Sequence, residues 1–422
     1  MQTRTGDTIA RAKEVIARCR SLARFSEDTG STRRTFLSAP MHDCHGEIIT
    51  WMAPLGVEVR IDAAGNLRAF YAGTNSAATR LLIGSHLDTV PNAGAFDGVL
   101  GVILAIAIVE ALDGKRLPFG IEIVGFSEEE GARFGTPFIG SRALIGRCDE
   151  DLLERKDARG ITVRQAIEDF GLNPQELPLA ALGDDVLGYV EFHIEQGPVL
   201  ETMQWPLGVV ETIAGQSRLE FVFLGRANHA GTTPMHLRYD AIAGAAEWVT
   251  AVEREALKVP GLVATVGKID AKPGATNVIA GEARLSLDVR HALDEARTRA
   301  VDDLMAASEE IARRRGLSVI HKVLLGQAAV AMDSFLVSEI EQAIRTAGCE
   351  PHRMVSGAGH DAMVLAEKIP AAMIFLRTPG GTSHDPAESV TVEDVAKGLE
   401  CGLNLLDQLA SSTTPQKRTC RA

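Results

Sequence analysis

Cysteine is sparse and unpatterned. The six residues Cys19, Cys44, Cys148, Cys349, Cys401 and Cys420 form no Cys-x-x-Cys pair, so neither a disulfide framework nor a thiolate zinc site is expected. Long apolar runs are missing as well. The longest, residues 99–109, is cut by Glu110 and is too short to span a bilayer. No dense Lys/Arg cluster is present, and 43 Lys+Arg against 56 Asp+Glu leave a net charge of −13, which makes nucleic acid a poor electrostatic partner. No signal-peptide core opens the chain. Ile9, Ala12, Ile16, Cys19, Leu22 and Ala23 fall on one helical stripe instead, and Asp7 and Glu14 argue against a transit peptide. The expectation is a cytoplasmic enzyme with no membrane partner.

What the chain does have is enough apolar residues, 45% of 422, to fill a core. No short-period repeat is visible, and only residues 411–422 read as a solvated tail. Residues 80–83 (RLLI), 121–126 (IEIVGF), 189–193 (YVEFH) and 371–376 (AAMIFL) read as buried strands. Residues 100–111, 334–347 and 392–409 read as helices. That alternation predicts an α/β layer with a largely parallel sheet. Residues 217–325 differ. Strands at 218–224, 262–269, 283–290 and 318–325, with helices at 239–257 and 292–315, follow the βαββαβ order of a ferredoxin-like sandwich. The fold expected is a mixed-sheet α/β catalytic domain, residues 1–214 and 327–422, with an inserted sandwich at 215–326.

Five histidine or carboxylate segments stand out, four of them at the ends of these apolar strands, where open α/β sheets place ligands. His86 and Asp88 follow the first strand, two apart, as an imidazole and a carboxylate that could serve a metal site; a chance His-x-Asp in a surface loop is equally ordinary. Asp97 precedes a buried helix, where an N-cap is the usual role, yet a carboxylate there could bridge two cations. Glu128, Glu129 and Glu130 follow the second strand. Adjacent carboxylates repel unless something positive sits with them; a solvated acidic turn is the common alternative. One would ligate and a neighbour would act as general base. His193 lies between Glu191 and Glu195, and His384 sits in a Gly-rich loop after the last strand. The ligand menu is therefore His86, Asp97, Glu130, His193 and His384, a set of imidazole and carboxylate that suits Zn²⁺ or Mn²⁺, with Co²⁺ or Ni²⁺ as alternatives.

Nine motifs in order, GSHLDTVPNAGAFDG (84–98), SEEEGARF (127–134), GSRAL (140–144), HIEQGPVLE (193–201), NHAGTTPM (228–235), NVIAG (277–281), DVRH (288–291), SGAGHDAM (356–363) and GGTSHDPAE (380–388), resemble the hydantoinase/carbamoylase branch of the M20 metallopeptidase clan. That branch includes allantoate amidohydrolases, N-carbamoyl-L-amino-acid hydrolases and β-ureidopropionases. The resemblance covers nearly the whole chain and implies two divalent ions. One would be held by His86, Asp97 and His193, the other by Asp97, Glu130 and His384, with Asp97 bridging. It implies Glu129 as the general base, Asp88 as the residue orienting His86, and His229 as the stabiliser of the oxyanion. Gln196, Asn277, Arg290 and Gly359 would hold the substrate, with Arg290 matched to a carboxylate by its two-pronged guanidinium. The insert would act as lid and homodimer contact, so that His229, Asn277 and Arg290 would serve either their own subunit's site or the partner's. His360 and Asp361 would either contact substrate or pin their Gly-rich loop, the second reading being slightly preferred. Ala280 stands where the family often has Pro.

The reaction expected is hydrolysis of a ureido or carbamoyl C–N bond in a small carboxylate-bearing substrate, with allantoate first and an N-carbamoyl-L-amino acid or β-ureido acid next. A dipeptidase or aminoacylase of the wider clan is countered by HIEQGP and NHAGTTPM. An inactive binding protein on the same fold is countered by the intact Glu129 and all five ligand positions.

Overall fold

The computed structural model describes residues 2–75 and 79–412; most of the expected tail, and Cys420, lie outside them. The chain divides into two compact units. The first comprises Met1–Glu211, Met332–Met354 and Gly359–Ala422, and the second Thr212–Ala331 with Val355–Ala358. The protein is thus a mixed α/β fold. Among the described residues no helix is long and apolar enough to cross a membrane.

In the first unit the sheet runs, in spatial order, Glu58–Ile61, Leu67–Tyr71, Gly120–Phe126, Arg80–His86, Val186–Ile194, Ala371–Leu376 and Leu207–Ile213. The four strands from Gly120–Phe126 to Ala371–Leu376 are mutually parallel, and their neighbours on either side are antiparallel. Strands of a parallel sheet are covered on both faces, so they are apolar throughout instead of alternating. Gly120–Phe126 and Ala371–Leu376 are buried at every residue. The outermost strand, Glu58–Ile61, alternates exposed and half-buried residues.

Helix Val99–Ala111 is buried along eleven consecutive residues, which explains why its sequence shows no polar face. It approaches the sheet through Gly101, where a Cβ would collide with the Phe192 carbonyl oxygen. The closing helix Val392–Ser412 crosses Val99–Ala111 through Gly402, where a Cβ would meet Ile108. Helix Gln2–Leu22 buries Ala12, Ile16, Cys19 and Leu22 of the expected stripe.

His45 is buried in helix Ala39–Met52, with both ring nitrogens lacking a hydrogen-bond partner and its ring edge-on to Phe170. Burial, with Arg34 and His42 adding to it, pushes its pKa down from 6.5 to about 3. The folded state therefore excludes a proton that the unfolded state takes up below pH 6.5. Stability attributable to His45 is complete above that value and is lost as pH falls towards 3. Between pH 7.5 and 5.0 the wild type should lose about 2 kcal/mol more than His45→Phe, at about 1.4 kcal/mol per pH unit below the free value. Urea melts of both proteins at the two pH values measure it. Equal losses would show that His45 is protonated in the fold.

In the second unit the strands run Ile269–Lys272, Glu282–His291, Gly215–Leu224 and Ser318–Gln327, all antiparallel, with Val263–Thr265 also on Glu282–His291. Helices Ala241–Ala256 and Asp294–Arg315 complete a strand–helix–strand–strand–helix–strand order. Strand Glu282–His291 alternates, so Ala283, Leu285, Leu287 and Val289 join Phe221, Phe223, Trp248 and Leu304 in one core. Arg284, Asp288 and Arg290 take the other face.

Two local readings change. The strand expected over 262–269 is broken. Thr265 opposes Asp288 and Ile269 opposes Leu285, so four steps on one strand match three on its partner, and the extra residue makes a bulge. The second unit is also wider than 215–326. Ala214 donates its N–H to the Ser356 carbonyl, which ties residues 355–358 to this unit.

Candidate metal centre

Each candidate ligand arrives from the carboxyl end of a parallel strand or the loop just past it. His86 ends Arg80–His86, His193 is the penultimate residue of Val186–Ile194, Glu129 and Glu130 follow Gly120–Phe126, and His384 follows Ala371–Leu376. Asp97 does not cap the helix that it precedes. Gly98 occupies the N-cap with φ 64°, no side chain caps it, and the Asp97 carboxylate turns towards the histidines. The positive φ is available to glycine at little cost, and a Cβ at Gly98 would collide with the His86 ring. The dipeptide Asp97-Gly98 therefore makes room for the imidazole beside the carboxylate.

The two Asp97 oxygens serve two clusters. Oδ1 lies 3.2 Å from His193 Nε2 and 3.9 Å from His86 Nε2. Oδ2 lies 3.1 Å from His384 Nε2, which is 3.5 Å from Glu130 Oε1. In each of the triads His86–Asp97–His193 and Asp97–Glu130–His384 the donor atoms all lie within 4.8 Å of one another. The outer nitrogens are aligned by carbonyls: His86 Nδ1 is 3.0 Å from the Asp88 oxygen and His193 Nδ1 is 2.9 Å from the Ile194 oxygen. Each ring thus has Nε2 free to face inward as a lone-pair donor.

The three consecutive glutamates separate in role. Glu128 turns away and accepts the Phe36 N–H at 3.0 Å. Glu129 and Glu130 face the cluster, and His86 forms a further donor group with them. Asp88, expected to orient His86 with its side chain, does so chiefly through its main-chain carbonyl. Its carboxylate instead accepts the N–H groups of Glu129 (2.9 Å) and Glu130 (3.1 Å), and stands 3.6 Å from His86 Nδ1.

The charges suit a cation. Burial first, and then Glu130, pushes the Glu129 carboxyl well above its ordinary range. Burial and Asp97 push Glu130 up to about 7. Burial pushes His193 down to about 4. Against its own burial, the Asp97 carboxyl is held below the usual range by the His384 hydrogen bond and the charges of His193 and His86. Carboxylates and imidazoles packed this closely fit a divalent ion, which would relieve the carboxylate repulsion and take the place of the protons that the carboxylates otherwise draw onto His86 and His384.

Two contacts were not readable from the motifs. Glu388, 5% exposed, accepts the N–H groups of Phe96 (2.8 Å) and Asp97 (3.0 Å) and so holds the backbone that carries the shared carboxylate, from four residues past His384. Gln196, expected among the substrate residues, has φ 57° and places its amide nitrogen 3.0 and 3.1 Å from the two Asp97 oxygens. His360 packs edge-on against His193, with ring centroids 4.5 Å apart. Asp361 accepts the Ser141 hydroxyl at 2.5 Å. Gly359 lies beside Phe138, whose ring leaves a Cβ little room.

His229, Asn277 and Arg290 belong to the second unit. Asn228–His229 pairs with Val278–Ile279, and the Asn277 carbonyl accepts the Ala230 N–H. His229 Nδ1 accepts the N–H groups of Gly231 (3.1 Å) and Thr232 (3.2 Å), so its proton resides on Nε2 at the exposed edge of the ring. Arg290 Nε and Nη2 donate to the two Asp288 oxygens at 2.8 and 3.1 Å.

Strand ends bearing two imidazole–carboxylate triads with a shared aspartate define a metal-dependent hydrolase. The profile of peptidase family M20/M25/M40 matches residues 82–408. The chain is 38% identical to a probable allantoate deiminase of Oryza sativa subsp. japonica, over 94% of this chain and 88% of that one. It is 39% identical to an N-carbamoyl-L-amino acid amidohydrolase of Geobacillus stearothermophilus, over 91% and 95%. A solved amidase of the hydantoinase/carbamoylase family from Burkholderia multivorans superposes with a TM-score of 0.89 at 31% identity, covering 94% of this chain and 98% of that one. The protein belongs to peptidase family M20/M25/M40, within its hydantoinase/carbamoylase branch.

Proposed function

We propose that this protein is an amidohydrolase of a ureido or carbamoyl C–N bond in a small carboxylate-bearing substrate, with allantoate first and N-carbamoyl-L-amino acids second. The carrying observation is the pair of triads joined by Asp97 with the buried Glu129 against them. Relatives of both activities, each matched over more than nine-tenths of this chain, support the substrate class. His86, Asp97 and His193 would hold one cation, and Asp97, Glu130 and His384 the other; when bound, such ions polarise a carbonyl and acidify water. Zn²⁺ and Mn²⁺ suit these donors, with Co²⁺ and Ni²⁺ as alternatives.

Glu129 takes the proton of the attacking water and returns it to the leaving nitrogen. Its backbone is held for this by the Asp88 carboxylate. His229 donates Nε2–H to the carbonyl oxygen as that atom gains charge, a role its fixed tautomer suits. Arg290 receives the substrate carboxylate, and Gln196, Asn277 and Gly359 hold the remaining polar groups. The second unit is the lid and the homodimer contact in this reading. Its outer strand Ser318–Gln327 exposes Ile320, Val323 and Leu324, which a second copy would cover.

Ammonia release from allantoate, N-carbamoyl-L-amino acids and β-ureido acids, together with the appearance of free amino acids from dipeptides, both assayed with added Mn²⁺, tests the function. Turnover of a ureido acid and none of dipeptides is expected. Cleavage of dipeptides alone would refute the assignment. Light scattering on the same preparation should read twice the 45.1 kDa chain mass; a fully active monomer would exclude the dimer.

A further inference from the structure

Arg290 and Asp288 lie two apart on strand Glu282–His291 and share its open face. Asp288 is saturated with donors. It accepts Arg290 Nε and Nη2 at 2.8 and 3.1 Å, Gln216 Nε2 at 2.5 Å and Arg218 Nε at 3.0 Å. Gln216 and Arg218 stand directly opposite Arg290 and Asp288 on the paired strand. Arg290 Nη1 donates to the Gly357 carbonyl at 2.6 Å. A guanidinium has five N–H groups, so this arrangement leaves one on Nη1 and one on Nη2 for a ligand. Both residues line a cavity of about 520 Å³ in the second unit, together with Val263, Thr265 and Val355.

We propose that Asp288 is a positioning residue for substrate specificity: it holds the Arg290 guanidinium by its Nε–Nη2 side and leaves the outer edge presented to the substrate carboxylate. The inference rests on the reading of Arg290 given above and assigns Asp288 a part in it. A free Arg side chain samples many rotamers, and selecting one before the ligand arrives reduces the ordering cost of binding.

Charge alone predicts the opposite of positioning, which makes the proposal sharp. If Asp288 only neutralises its neighbour, Asp288→Asn makes the cavity more positive, and a carboxylate substrate binds more tightly. If Asp288 positions Arg290, the amide loses one of two acceptor oxygens, sets an NH₂ against the guanidinium, and frees the side chain. The expected result for Asp288→Asn is a KM for an N-carbamoyl-L-amino acid raised about tenfold, the loss of one charge-assisted contact. The kcat should stay within about twofold, and the preference for the acid over its amide should narrow. Asp288→Glu keeps the charge and moves the carboxylate outward by one methylene; it should also raise KM, and it serves if the Asn variant does not fold.

Arg290→Ala, assayed beside them, separates the two levels of the argument. If it leaves the acid-to-amide preference unchanged, the reading of Arg290 falls, and the role of Asp288 falls with it. If Arg290→Ala narrows the preference while the Asp288 variants leave KM unchanged or lower it, only the positioning role is refuted.

Discussion

Glu129→Gln should bind the same cations as the wild type and turn over about 10²–10⁴ times more slowly, the usual cost of removing a general base. Glu129 is 7% exposed, and its backbone is held by Asp88, so the isosteric amide should keep its place. What it loses is the capacity to accept a proton. Glu129 also lies in a donor group with His86 and Glu130, so the metal content of the variant has to be measured as well as its rate. Elemental analysis with steady-state ammonia release does both. Normal metal content with near-normal turnover would remove Glu129 from the chemistry, whereas loss of metal would recast it as a ligand.

Asp97→Asn should do the reverse and abolish activity by lowering metal content. The wild-type carboxylate offers one oxygen to His86 and His193 and the other to His384, so it belongs to both triads. The amide retains a single oxygen donor, replaces the other with an NH₂ that cannot ligate, and removes the negative charge that offsets two divalent ions. Calorimetric titration of the metal-stripped variant with Mn²⁺ should show the stoichiometry fall from two to at most one. An undiminished stoichiometry would mean that Asp97 is no bridge. The two variants form a pair, because one should uncouple catalysis from metal and the other should lose both.

Much of the first unit was legible in the chain itself. Its central strands are covered on both faces, so they read as unbroken apolar runs, and the helix that packs on them is as uniformly apolar. The candidate ligands were legible because most lie in polar, Gly-rich segments at the end of such a run or just past it. Gly98 carries that logic furthest, since only a residue without a Cβ leaves space for the His86 ring. The strand over 262–269 was misread because a bulge adds a residue without altering the alternation on either side of it.

The sequence by itself determined which segments are buried, where strands end, and which donor types cluster at those ends. Hydrophobic period and residue chemistry are local properties, printed within a few residues of where they act. Tertiary structure alone decided which groups serve which. That Asp88 clamps the backbone of Glu129 and Glu130, that Glu388 holds Asp97 across 291 residues of chain, and that Gln196 leans on the shared carboxylate are facts of hydrogen-bond geometry. Each depends on a backbone N–H or a side-chain rotamer fixed by packing. Every non-proline residue carries the same N–H donor, so composition and spacing contain no mark of which one a buried carboxylate will find.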